Sequence, residues 1–187
     1  MMKKSMKNIN PSISYRLLYP SVPTLIVSSS KDTISAMPAV SVIALSNEPA
    51  LLGISISPEH STYKTIKRNG KLTISLLDSK DIPRLFALSK ELGYRTKDKL
   101  RTSGFHKTIT PKLKLIAPAE ATAVFECRVV NDFETGDHRL LICNVVSVYA
   151  SDDFEDYWKY EQYNPILYGG SSIGFVPYNK SKKERNM

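Results

Sequence analysis

The chain has three histidines, and two of them stand beside groups that could do chemistry. In the stretch SPEHSTYKTI, an apolar alternating run ends at Ser57 and a helical pattern begins four or five residues later. The first backbone N–H groups of a helix lack partners and carry partial positive charge, so a phosphate can bind there. Ser57, Ser61 and Thr62 offer hydroxyls, and His60, Lys64 and Lys67 offer charge. The same residues also read as plain N-capping, which needs one hydroxyl only. The second site is ETGDH, where Asp137 and His138 share the tip between the apolar runs FECRVV and LLICNVV. His138 is there either as a solvated turn residue or as a group the hairpin presents. A third stretch, SSSKDTISAMPAVS, leads from a polar strand end through a turn into a strand containing Ala36, Met37 and Pro38. Small residues let a ligand approach the backbone, whose N–H groups can hydrogen-bond the edge of a flat heterocycle; an ordinary hairpin accounts for the pattern equally well.

No GxSxG, P-loop, HExxH or GxGxxG motif is present, so an enzymatic activity here would rest on a bound cofactor. Cys127 and Cys143 lie in the two apolar runs around the ETGDH tip, out of direct opposition. They are expected as buried free thiols, in keeping with a reducing compartment. With no CxxC and no Cys/His cluster, no metal site is expected.

The elements that must position these groups are mostly strands. TLIVSSS, AVSVIALS, ALLGISIS, KLTISLL, ATAVFECRVV and LLICNVVSV supply six. ALLGISIS sets Leu52, Ile54 and Ile56 on one face, and ATAVFECRVV sets Glu126 and Arg128 opposite Phe125 and Cys127. LLICNVVSV is apolar on both faces, the mark of a central strand. Short connections favour antiparallel pairing, and closure into a barrel would remove the edges. Helices are expected at STYKTIKRNG, capped by Ser61 or Thr62 and ended by Gly70; at SKDIPRLFALSKELG, with Pro83 in its first turn and Gly93 at its end; and, briefly, at DDFEDYWKY. Tyr94 to Pro118 reads as irregular, with one turn at Lys97–Leu100.

A chain of 187 residues buries roughly 70% of its unfolded surface as one domain. No run approaches the roughly 20 apolar residues of a membrane span, and the basic N-terminus lacks a signal-peptide core, so a cytoplasmic location is expected. Six of the eight net positive charges fall in the tails around Lys3, Lys4 and Lys7 and around Lys180 to Arg185. A folded nucleic-acid groove is therefore not indicated. The boundaries are a domain over 14–177 flanked by flexible basic tails, 1–13 and 178–187.

In their order and spacing, VPTLIVSSS, AMPAVSVIALSNEPALLGISI, HSTYKTIKRNGKLTISLL, FECRVV followed by GDHRLLICNVV, and PILYGG resemble the flavin reductase-like family, the FMN-binding split barrels, from Ser14 to Phe175. The resemblance implies a mainly β, six-stranded antiparallel Greek-key barrel that forms a homodimer with FMN near the interface. It implies that Ser35, Ala36, Met37 and Pro38 contact the isoalloxazine and ribityl chain. Ser57, His60, Ser61 and Thr62 match the phosphate-binding segment, Tyr168 in YGG lies near the cofactor, and His138 is the catalytic-site residue beside flavin or nicotinamide. Many relatives carry Ser and then an aromatic residue two places after the Met-Pro pair; this chain has Val40 and Ser41, which leaves that ribityl or phosphate contact to Val40 or, after a one-residue slip, to Ser41. The double proline of relatives is Pro49-Ala50 here. The implied activity is hydride transfer from NADH or NADPH to flavin, with a small-molecule redox substrate. The alternatives are an FMN electron carrier or metal-chelate reductase fed by a partner, and a non-enzymatic β-barrel binding module.

Overall fold

Thr24–Ser30 (β1) and Thr33–Ala39 (β2) form the first hairpin of the computed structural model, which describes residues 6–91 and 96–178. Val42–Ser46 (β3) and Leu51–Ile56 (β4) form the second, followed by Ser61–Asn69 (α1) and Lys71–Leu76 (β5). Ile82–Lys90 (α2), the single turn Lys99–Thr102 (α3) and the short pair Lys107–Ile109 (β6) and Ile116–Pro118 (β7) come next. The long hairpin Ala123–Thr135 (β8) and His138–Ala150 (β9) precedes a final pair, Ile166–Tyr168 (β10) and Phe175–Pro177 (β11). The main sheet runs β2-β1-β5-β8-β9-β4-β3 with every pairing antiparallel.

Seven strands thus replace the six expected, because the strand expected to run through Ala36 and AVSVIALS is two, β2 and β3, broken at Val40-Ser41. Ser41 is drawn out of line by β4: its hydroxyl donates to the Ser55 carbonyl at 2.5 Å, and the Ser55 N–H donates to the Ser41 carbonyl at 3.1 Å. The break joins the two end strands of the sheet covalently. One apolar cluster then takes residues from all seven: Ile26, Ala39, Val42, Ile54, Leu72, Cys127 and Leu141 among them. A sheet whose strands all point side chains into one core has curled into a barrel. Tyr63 and Ile66 of α1 join that core. Pro38 is compatible with β2 because β2 is an edge strand, where a missing N–H breaks no ladder bond.

A second cluster covers the outer face of β1. Leu25 and Val27 pack there against Leu85 and Leu88 of α2, Leu100 of α3, and Ile166 and Phe175 of the last two strands. The doubly buried strand is therefore β1, and the expectation for β9 is corrected: β9 lies inside the sheet, but Val148 on it is 49% exposed. Glu126 is also not a solvent-facing residue. It is 0% exposed because the β6–β7 loop folds over it; its carboxylate accepts from the Lys112 N–H at 3.2 Å and the Leu113 N–H at 2.7 Å.

The α1 helix ends at Gly70, as expected, in the left-handed conformation with φ 66°. The segment DDFEDYWKY is not helical. Phe154 and Trp158 bridge each other, and the Trp158 ring packs on Tyr163 at 4.2 Å between centroids, so aromatic contacts override the local pattern. The single turn expected at Lys97–Leu100 is α3, two residues later, and the β6–β7 pair was not expected. Pro11–Leu18 form an exposed 3-10 helix that starts inside the expected tail, with the Asn10 side chain accepting from the Ser12 N–H at 3.0 Å. Leu92 and Gly93, the expected end of α2, lie outside the described residues, as do residues 1–5 of the first tail and 179–187 of the second.

Candidate functional site

Edge strand β2, the first turn of α1, and α2 with α3 enclose a cleft of about 530 Å³. Met37 and Pro38 give it an apolar wall, while His60, Ser61, Thr62 and Lys99 give it a polar end whose rim also carries Lys64 paired with Glu59, and Glu91. The helix cap is His60, in extended backbone and without a side-chain hydrogen bond to the first turn. Ser61 and Thr62 therefore do not cap α1, contrary to the simpler reading. They open the helix, and their hydroxyls make no hydrogen bond among the described residues. The first-turn N–H groups likewise have no intrahelical acceptor. Donors without acceptors at a helix start form an anion site.

Lys99 is the group that sequence reasoning missed. It is the first residue of α3 and only 7% exposed, yet its ammonium has no hydrogen bond or ion pair within 4 Å among the described residues. Burial pulls its pKa below the ordinary lysine value, and nearby Glu91 opposes this in part. Nothing marks Lys99 out among 26 basic residues until α3 is folded onto β2. The imidazole of His60 is also held below its usual range, first by partial burial, then by Lys99 and His138.

That electrostatic contact locates His138. A two-residue loop, Gly136-Asp137, closes the β8–β9 hairpin, and Gly136 takes φ 62° as such a turn requires. The β4–β9 ladder ends at Ile56 and Arg139, which sets Ser57 and His138 side by side at the strand ends. His138 thus stands next to the loop that carries His60, but it does not line the cleft. Its Nδ1 lies 2.8 Å from the Asp137 carboxylate, which the imidazole holds below the usual carboxylate range.

A second cleft of about 420 Å³ adjoins the first at Pro38 and Ser89. Its walls are rings. Tyr19 and Tyr168 meet edge to face at 5.3 Å, as do Phe175 and Phe86 at 5.3 Å, while Tyr168 and Phe175 are tilted against each other at 5.2 Å. Paired hydrogen bonds between Ser21 and Tyr168, at 3.2 and 2.8 Å, pin the N-terminal segment to β10. Tyr168 and Val40 both line this cleft.

The remaining expected residues lie outside both clefts. Ser41 is spent on Ser55, and the Ser57 hydroxyl accepts from the Glu59 N–H at 3.3 Å. Ser35 is buried and accepts from the Thr65 hydroxyl at 3.3 Å, tying β2 to α1. Ala36 packs its methyl into the second core cluster, but its amide is informative. The Ile34 N–H turns away from β1 to the Lys97 carbonyl at 2.7 Å. By strand alternation the next outward amide is Ala36, not Met37. That N–H is buried and has no partner among the described residues. Backbone donors of this kind are rarely left without an acceptor.

Both thiols are free and buried, and they are not cross-strand partners: Cys127 faces Val145, and Cys143 faces Val129. Burial pushes both thiols up, Cys143 to about 12. Among the described residues no three His, Cys, Asp or Glu side chains group as a metal site, and no helix is long and apolar enough to cross a membrane.

The chain's similarities agree with this architecture. An uncharacterized protein of Archaeoglobus fulgidus is 33% identical over 172 residues, 89% of this chain and 93% of its own length. One from Aeropyrum pernix is 30% identical over 166 residues, of which this chain spans 63% of the relative's length and 88% of its own. The FMN reductase (NADH) RutF 2 of Methylorubrum extorquens is 28% identical over 152 residues, 80% of this chain and 79% of that one. Among solved structures, flavoredoxin from Methanosarcina acetivorans superposes with a TM-score of 0.81 at 19% identity, covering 95% of this chain and 94% of its own. Nitrilotriacetate monooxygenase component B from Bacillus cereus does so with 0.82 at 16% identity, covering 96% and 98%. These structures share the mainly β split-barrel fold. The flavin reductase-like domain model matches residues 16–173, and the chain belongs to that family.

Proposed function

We propose that this chain is an FMN-binding oxidoreductase that passes hydride from NADH or NADPH to flavin. The observation that carries the reading is the two-ended cleft: a buried, unpaired Lys99 and the open start of α1 at one end, an apolar β2 wall at the other. A flavin mononucleotide has the matching halves, a dianionic phosphate and a flat ring. Pockets of roughly 300–1,000 Å³ hold ligands of this class, and the cleft falls in that range at about 530 Å³.

On this reading Lys99, His60 and the Ser61 and Thr62 hydroxyls hold the phosphate. The unpartnered Ala36 N–H donates to the edge of the ring, and the backbone donors along β2 stabilise negative charge there without a general base. Met37 and Pro38 exclude water from one ring face. His138 is a positioning residue that orients the nicotinamide nucleotide. Bound FMN supplies the two-electron chemistry, accepting hydride from the nicotinamide. The exposed apolar residues Ile43 and Leu45 of β3 and Phe133 of β8 fit a homodimer interface, and the 14–177 domain is the unit that carries the site.

The test is to mix the pure protein with FMN and then NADH or NADPH under anaerobic conditions. Bleaching of the flavin band with either donor is expected. FMN binding without bleaching would leave an electron carrier or metal-chelate reductase, and salt-dependent polyanion binding without FMN binding would leave a non-enzymatic module.

A further inference from the structure

A recess of about 260 Å³ opens off the aromatic cleft, sharing Tyr19, Tyr168 and Ser171 with it. Arg16 and the turn through Gly170 and Ser172 complete its wall. Its chemistry is one-sided. Arg16 has no carboxylate partner among the described residues; it touches only Tyr15, with a long 3.5 Å contact to the phenol oxygen and its guanidinium 5.8 Å from the ring centroid. The N–H groups of Gly170, Ser171 and Ser172 donate to no group among the described residues. Those of Ile173 and Gly174, just beyond, both donate to the Gly170 carbonyl, at 3.1 and 2.7 Å. The Ser171 and Ser172 hydroxyls are exposed and unbonded among the described residues.

The recess therefore collects a guanidinium, three successive amides and two hydroxyls, and none of its lining residues is a carboxylate. Successive free amides in a turn make an anion-binding concavity, and charge-assisted donors strengthen it. The position of Arg16 is set by structure: Tyr15 and Tyr19 meet edge to face at 6.2 Å, and Tyr19 is clamped on Tyr168. Because the recess is continuous with the ring-lined cleft, one molecule can place an anionic group in the recess and a flat part in the cleft.

We propose that this recess is the subsite for the anionic group of the second substrate. A planar ring lies among Tyr19, Tyr168 and Phe175, and its phosphate or carboxylate sits against Arg16 and the Gly170–Ser172 amides. Calling the ligand a substrate rests on the flavin reading above; the subsite itself does not. The anion's source is either a nicotinamide nucleotide donor or an aromatic acid acceptor.

Calorimetric titrations separate these. FMN-saturated protein is titrated with nicotinamide mononucleotide against neutral nicotinamide, and with benzoate against neutral benzamide, in wild type and Arg16→Gln. At least one anion should bind more tightly than its neutral counterpart, and that preference should fall by about fivefold in the variant, the upper range for an exposed ion pair. FMN affinity should be the same in both proteins. A preference in the first pair assigns the recess to the donor, and in the second to the acceptor. No preference in either pair, or an equal preference in Arg16→Gln, overturns the proposal. Failure of the wild-type protein to bind FMN would instead remove the flavin reading, and the same probes on the FMN-free protein would still decide the recess.

Discussion

Replacing Lys99 with Met should move two properties in opposite directions. The lysine stem is packed among α2, α3 and β2, and Met fills nearly the same volume, so the change removes a charge more than a contact. With phosphate bound, the ammonium makes a charge-assisted hydrogen bond worth about 1.5–3 kcal/mol. Its loss should raise the Kd for FMN by roughly 10- to 150-fold. Without ligand the same ammonium is buried and poorly compensated, as its lowered pKa records. Relief of that burial should stabilise the FMN-free protein by about 1 kcal/mol, or about 2–4 °C in Tm for a domain of this size. The pH dependence has a definite sign. Between the folded pKa and 10.5 the unfolded chain keeps a proton that the folded chain has lost, so Lys99 contributes a rise of stability with pH through that window, opposite in sign to the contribution of the buried Cys127 and Cys143 thiols. FMN affinity falls through the same window as the ammonium disappears. In Lys99→Met the fall in FMN affinity should vanish, and the Lys99 slope should appear as the stability difference between wild type and variant, to which the thiols contribute equally in both proteins. Flavin fluorescence titrations and thermal unfolding at about pH 7 and about pH 10 measure them. An unchanged FMN Kd, or a lower Tm for the FMN-free variant, would refute the assignment of Lys99 as a cleft cation held at a cost to stability.

Glu126→Leu should orphan the Lys112 and Leu113 amides, costing about 3 kcal/mol and lowering Tm by roughly 6–12 °C; an unchanged melting curve would show that the β6–β7 loop does not need this anchor. His138→Ala should leave FMN affinity unchanged and raise the KM for NAD(P)H several-fold, whereas wild-type kinetics would reduce His138 to a turn residue. The same variant removes one of the neighbours that depress His60, so the His60 pKa should rise toward 6.5 in an NMR titration whether or not flavin is involved. Cys127 and Cys143, buried and with raised pKa values, should resist a thiol-specific disulfide reagent in the native protein and react after unfolding; fast native labelling would contradict their burial.

Strand content was legible because alternation is local. The faces of ALLGISIS and KLTISLL need only residues two apart, and Leu72, Ile74, Ile54 and Ile56 all reached the core. The cap at Gly70, the turn at Gly136 and the separation of the two cysteines were readable for the same reason. The count of strands was not, because the break at Val40-Ser41 comes from a hydrogen bond to Ser55, far along the chain. Likewise Glu126 reads as an outward residue by alternation, and only the returning β6–β7 loop buries it.

The site divides along the same line. His60, Ser61 and Thr62 follow one another in the chain, so their joint position at a helix start was open to sequence reasoning, as was the placement of Met37 and Pro38 on the neighbouring strand. That neither hydroxyl caps the helix was decided by the backbone, which places His60 at the cap position. Lys99, Arg16 and the amide of Ala36 became chemically distinct only after folding. Each differs from many similar groups in the chain solely by its surroundings: desolvation for Lys99, want of a carboxylate for Arg16, an edge position in the sheet for Ala36. Residue types and their local order determined the elements and one end of the site; tertiary packing decided which donors lost their water and their partners, because desolvation depends on elements that meet from distant parts of the chain.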